Sequence, residues 1–120
     1  MPRVIRFELP AAEPERAIGF YRGVFGWGFQ RWDGPQPFWL IRTGCDDEPG
    51  IDGGLMRRPE GGVVNTIGVE SVDDYVAKVE AHGGSVAVPK MPVLGVGWLA
   101  YCKDTEGNTF GLMQADLAAK

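Results

Sequence analysis

Histidine is almost missing from this chain: His82 is the one example in 120 residues, so a site built on several imidazoles is excluded. Cysteine is scarce as well. Cys45 and Cys102 lie far apart and form no CxxC, so both read as free thiols. No Lys/Arg cluster exceeds the pair Arg57-Arg58, and the net charge is −4, which argues against a nucleic-acid footprint. No apolar run approaches the roughly 20 residues that span a bilayer. The opening MPRVIRFELP also lacks the apolar core of a signal peptide, so a cytoplasmic protein is expected. Neither GxxxxGK[ST], GxSxG nor GxGxxG occurs, which removes the phosphate-loop, nucleophile-elbow and dinucleotide readings.

Glycine, by contrast, is abundant at 18 residues and recurs in pairs, Gly53-Gly54, Gly61-Gly62 and Gly83-Gly84. Such pairs predict sharp turns and close backbone approach. With 44% hydrophobic and 23% charged residues the chain is of ordinary globular composition, not a disordered one. Its length suits one domain, or two small repeats sharing a core; a repeat of half this length would be marginal alone.

The chain is organised around Arg6 to Trp27, RFELPAAEPERAIGFYRGVFGW. Val4 to Leu9 alternates as a strand, with Ile5, Phe7 and Leu9 on one face and Arg6 and Glu8 on the other. Pro10 is expected to end it. Pro14 suits the first turn of a helix, whose stripe would be Ala17, Ile18, Tyr21, Val24 and Phe25, with Gly26 as its stop. Residues 27–32, 38–43 and 51–57 then read as a three-strand meander, with Gly53-Gly54 predicting a bulge or a close approach.

The same grammar returns from Val63 onward. Residues 63–69 read as a strand, Ser71 caps a helix with stripe Val72, Tyr75, Val76 and Val79, and Gly83-Gly84 ends it. Residues 85–88, 97–103 and 108–114 supply three more strands, the last two joined by the turn DTEGN. The order is βαβββ–βαβββ, an α+β chain read as a single domain of two repeats, about 1–60 and 61–114, with a tail at 115–120.

Four segments, FELPAAEPERAIGFYRGVFGW, IDGGLMRR, NTIGVESVDD and GVGWLAYCKDTEGNTFGLMQ, resemble the vicinal oxygen chelate superfamily of glyoxalases, bleomycin-resistance proteins and extradiol dioxygenases. The resemblance spans nearly the whole chain. It implies two βαβββ modules forming an open, eight-stranded, cup-shaped barrel, often in a homodimer. It also implies a divalent metal held by four His, Gln or Glu side chains. The corresponding positions here are Arg6, the stretch from Gly53 to Met56, Val64 (or Asn65) and Gly111, none of which supplies a fitting donor set. No metal and no other cofactor is therefore expected.

What remains is a cup able to bind a small, partly aromatic molecule, with Arg6, Glu8, Trp39, Met56, Trp98 and Met113 as candidate ligand contacts. Glu8 is the candidate acid or base, because a carboxylate in an apolar cup holds its proton toward neutral pH. Arg6 either pairs with Glu8 or takes an anionic ligand in a forked contact. His82, in the last turn of the second helix, and the turn acids Asp104 and Glu106 read as structural. Three functions are left standing: a metal-free binding protein, a metal-independent lyase or isomerase using Glu8 (or one with an atypical metal set), and a regulatory subunit whose dimer face matters most.

Overall fold

The computed structural model describes residues 1–120 and contains eight strands and two helices. In order these are β1 Arg3–Ala11, α1 Pro14–Phe25, β2 Gly28–Arg31, β3 Phe38–Arg42, β4 Gly53–Arg57, β5 Val64–Gly68, α2 Val72–Ala81, β6 Ser85–Val93, β7 Gly97–Lys103 and β8 Thr109–Ala115. Two compact units result, Arg6–Val63 and Met1–Ile5 with Val64–Lys120. The βαβββ order occurs twice, and the chain is α+β.

In the first unit the strands lie in the order β2-β3-β4-β1, antiparallel until the parallel β4–β1 pair closes the module. Helix α1 forms the crossover. Pro14 opens it, and Gly26 closes it in the left-handed region at φ 73°, its N–H donating to the Arg22 carbonyl at 3.0 Å. Ile18 is buried with Ile41 and Leu55 of the sheet. The rest of the expected stripe is not: Val24 and Phe25 stay 57% and 58% exposed. Toward the end of the helix the aromatic rings pack on one another instead, Tyr21 stacking on Trp27 at 5.1 Å and Phe25 on Trp27 at 5.4 Å.

The second unit repeats the plan as β5-β8-β7-β6, with β5–β8 parallel and the other pairs antiparallel. Its core joins Val69, Val72, Ala100, Cys102 and Leu112 beneath Tyr75, Val76 and Val79 of α2. Ser71 caps that helix by accepting from the Asp74 N–H at 3.1 Å, and Gln114 Oε1 accepts from the Val72 N–H at 2.9 Å. These bonds satisfy two donors that a helix N-terminus otherwise leaves open. Cys102 is wholly buried, which pushes its thiol up, while Cys45 is exposed; neither is in a disulfide.

Two boundaries differ from the sequence reading. Strand β1 runs through Pro10 to Ala11, with Pro10 opposite Met56. Proline loses only its donor and its fixed φ suits extended backbone, so it does not stop a strand where no N–H is required. Strand β6 likewise continues past Val88 to Val93 despite Pro89 and Pro92. It pairs on one side only, with β7, and its register shifts twice, so edge position and bulges accommodate both prolines.

The β7–β8 turn is held by one carboxylate. Asp104 accepts from the N–H of Glu106 at 2.8 Å, the N–H of Asn108 at 2.9 Å and the Asn108 side-chain amide at 3.0 Å, with Gly107 at φ 83°. The Asn108 side-chain and backbone bonds, then the Glu106 bond, hold its carboxyl below the usual range. A group more acidic in the folded state contributes stability above its unfolded value and loses it as pH falls through the depressed one. Asp104→Asn should therefore lower the melting temperature at pH 7, with the gap to wild type closing as the medium is acidified below the ordinary aspartate range. Thermal melts over a pH series check this; a gap that persists at the acid end would refute it.

Candidate functional site

Which side chains share a face follows from strand register. In the first unit Phe7 faces Trp27, their ring centroids 6.0 Å apart, and the Arg22 guanidinium of α1 lies 5.8 Å over the Phe29 ring. Cross-strand pairs carry this helix-side face through Phe29↔Ile41, Ile41↔Gly53, Phe7↔Gly53 and Trp39↔Leu55. The alternate residues form the other face: Arg6 and Glu8 from β1, Phe38 and Leu40 from β3, Gly54 and Met56 from β4.

At the centre of that face is Gly54, paired with both Glu8 and Leu40. A methyl group placed on it would lie 2.4 Å from the Phe38 ring and 3.3 Å from Arg6 Nη2. The glycine pair therefore serves close approach and not a bulge, and Arg6 lies over bare backbone. Glu8 is only 5% exposed, while Arg6 is half-buried. The Arg6 guanidinium enters no hydrogen bond and no ion pair, so the Arg6–Glu8 pair allowed by the sequence is not formed.

In the second unit Ala100, Cys102 and Leu112 point into the α2 core, so Leu99, Gly111 and Met113 take the opposite face with Thr66. Thr66 is 1% exposed, and its hydroxyl has no partner. A side chain on Gly111 would begin 3.1 Å from Thr66 Oγ1 and 3.6 Å from Leu99 Cδ1.

Of the six candidate contacts, Arg6, Glu8 and Met56 share one face, and Met113 lies on the Gly111 face of its own unit. The two tryptophans are corrected. Trp39 stands on the α1 side, with the Arg31 guanidinium 5.1 Å over its ring. Trp98 packs against the α2 core, donates to Asp116 at 3.1 Å and lies under the Lys90 ammonium at 4.9 Å. A one-residue change of register moves a side chain to the opposite face, and only pairing sets that register. Phe38 and Leu40 occupy the place expected of Trp39; the alternation of Phe38, Leu40 and Arg42 was a signal for them, undecided until β4 is docked.

The positions that the resemblance gives to a metal do not fit one. Arginine has no lone pair to offer. The second corner falls in the stretch from Gly53 to Met56, where side-chain space on Gly54 is taken by Phe38 and Arg6, and the fourth on Gly111, where it is taken by Thr66. Val64 is buried and apolar. No group of three or more His, Cys, Asp or Glu side chains stands where it could hold an ion. His82 is exposed at the end of α2, with Nδ1 2.8 Å from the Lys78 carbonyl.

Comparison with known proteins agrees with the fold. No family model matches the chain. CFP32 of Mycobacterium bovis, named as a candidate glyoxylase, is 30% identical over 117 residues, 91% of this chain. The chain spans 44% of that protein's length. Among solved structures, methylmalonyl-CoA epimerase from Mycobacterium tuberculosis superimposes with a TM-score of 0.72 at 11% identity, covering 94% of this chain and 87% of that one. A Streptomyces coelicolor methylmalonyl-CoA epimerase in complex with 2-nitronate-propionyl-CoA gives 0.71 at 15% identity, covering 100% and 99%. The fold is glyoxalase-like, in keeping with the resemblance to the vicinal oxygen chelate superfamily carried by the sequence and with the glyoxylase name of the relative. No helix is long and apolar enough to cross a membrane.

Proposed function

We propose that the chain binds a small, partly aromatic organic molecule on the Arg6–Glu8 face without a resident metal. One observation carries this reading: a buried carboxylate and an unpaired guanidinium share a sheet face with Phe38, Leu40 and Met56, on the side away from α1. A few polar groups among apolar walls is the usual composition of a small-molecule site. Phe38 takes the aromatic role first given to the tryptophans. The small-molecule ligands of the structural neighbours, acyl-CoA derivatives among them, support the class of partner without naming the compound. A homodimer in the cytoplasm belongs to the same reading.

Metal uptake tests it directly. After incubation with excess zinc, nickel or ferrous iron and exhaustive dialysis, the protein should retain far less than one equivalent by elemental analysis. Stoichiometric retention, lost on mutation of residues on this face, would overturn the proposal.

A second reading has its own support in Glu8. A carboxylate withdrawn from solvent beside a cationic side chain is suited to move a proton next to a carbonyl group, which is lyase or isomerase chemistry. Arg6 would then hold the substrate's oxygen while Glu8 takes the proton.

A further inference from the structure

We infer that Arg6 is the receptor for a carboxylate carried by the ligand. The inference rests on the binding reading above and names the group that the site selects.

The arginines of this chain sort clearly by burial. Only Arg6 and Arg58 are not exposed. Arg58 donates to the Gly62 carbonyl at 3.5 Å. Three of the exposed arginines are engaged: Arg16 pairs with Glu13 at 3.0 Å, Arg42 pairs with Asp46 at 3.1 Å, and Arg31 donates to the carbonyls of Trp32, Gln36 and Phe38. Arg6 alone combines half-burial with a guanidinium that meets no acceptor. Its nitrogens are not sealed from solvent, so water satisfies them in the free protein, and an oxyanion with two acceptor atoms can displace that water from the guanidinium. Neither Glu8 nor any other side chain of the protein satisfies it.

The surroundings say what fits. Arg6 lies over the bare backbone of Gly54, with the Phe38 ring against the same glycine. A planar guanidinium on a flat floor presents two parallel N–H groups, the geometry that a carboxylate accepts. Phe38, Leu40 and Met56 on the same face offer apolar and aromatic contact to the rest of such a molecule. Arg6 also occupies the first of the positions that the resemblance assigns to metal ligands. A fixed positive charge there attracts an oxyanion without any cation being bound.

The probes are 3-phenylpropionate and its uncharged amide, titrated into the isotopically labelled full chain and followed by amide NMR shifts. The acid should saturably shift the amides of Phe7, Gly53 and Gly54, and the neutral amide should bind about tenfold more weakly or worse. Arg6→Gln should weaken the acid by at least about tenfold and leave the neutral compound unchanged, with Arg6→Lys intermediate because it keeps charge but not the fork. Added salt should weaken the acid alone, a check on wild-type protein that needs no variant to fold. If acid and amide bind alike, or Arg6→Gln holds the acid as tightly as wild type, the inference falls and the binding reading survives. If neither probe shifts those amides, both fall.

Discussion

Gly53→Ala is expected to destabilise the protein by about 3 kcal/mol, whereas Gly54→Ala beside it should cost only about 1 kcal/mol. The difference lies in what the new methyl group meets. At Gly53 it would sit 2.5 Å from the Phe7 carbonyl oxygen, which belongs to the backbone of the neighbouring strand and is held by the β1–β4 ladder. Backbone in a ladder cannot retreat without breaking hydrogen bonds on both sides. At Gly54 the neighbours are the tip of the Phe38 ring and the end of the Arg6 side chain, both of which can swing aside. Gly54→Ala should therefore keep its fold and lose ligand affinity, because the groups that must give way are the Phe38 ring first and then the Arg6 guanidinium, both on the candidate face. Urea unfolding of the two variants beside wild type is the measurement. Equal losses would show that the register of β1 against β4 is not as described.

Glu8→Gln is expected to leave folding intact and, on the proton-transfer reading, to cut catalysis by about 10²–10⁴-fold. Glutamine keeps the size and a hydrogen-bonding oxygen but cannot take up the proton. Methylmalonyl-CoA, the substrate that names the structural neighbours, offers a proton next to its thioester carbonyl as the probe. Wild-type protein in deuterated buffer should exchange that proton faster than buffer alone, with Glu8→Gln falling back toward the background rate. An unchanged rate in the variant would end the role of Glu8 as a base. No exchange by wild-type protein would end the proton-transfer reading for this class of thioester and leave binding as the function.

The helix limits and strand order follow from local chemistry, and residue by residue they were readable. Pro14 and Gly26 bracket α1, Ser71 and Gly83 bracket α2, and Gly107 marks the last hairpin. The errors fall where a neighbour outweighs local preference. The sequence reading ends strands at Pro10 and before Pro89, yet β1 runs on to Ala11 and β6 to Val93; a proline lacks only the donor, so a strand can continue where no N–H is required. Val24 and Phe25 have helical spacing, yet both stay exposed, and the Phe25 ring packs on Tyr21 and Trp27 instead.

By itself the sequence determined the doubled βαβββ plan and the loss of metal donors at Arg6 and Gly111, since side-chain chemistry and short-range periodicity are local properties. Only the tertiary structure decided which side chains share the candidate face. It turned Trp39 and Trp98 toward the helices, put Phe38 in their place and left the Arg6 guanidinium without a partner, because the face on which a strand residue stands depends on a register that pairing with another strand imposes.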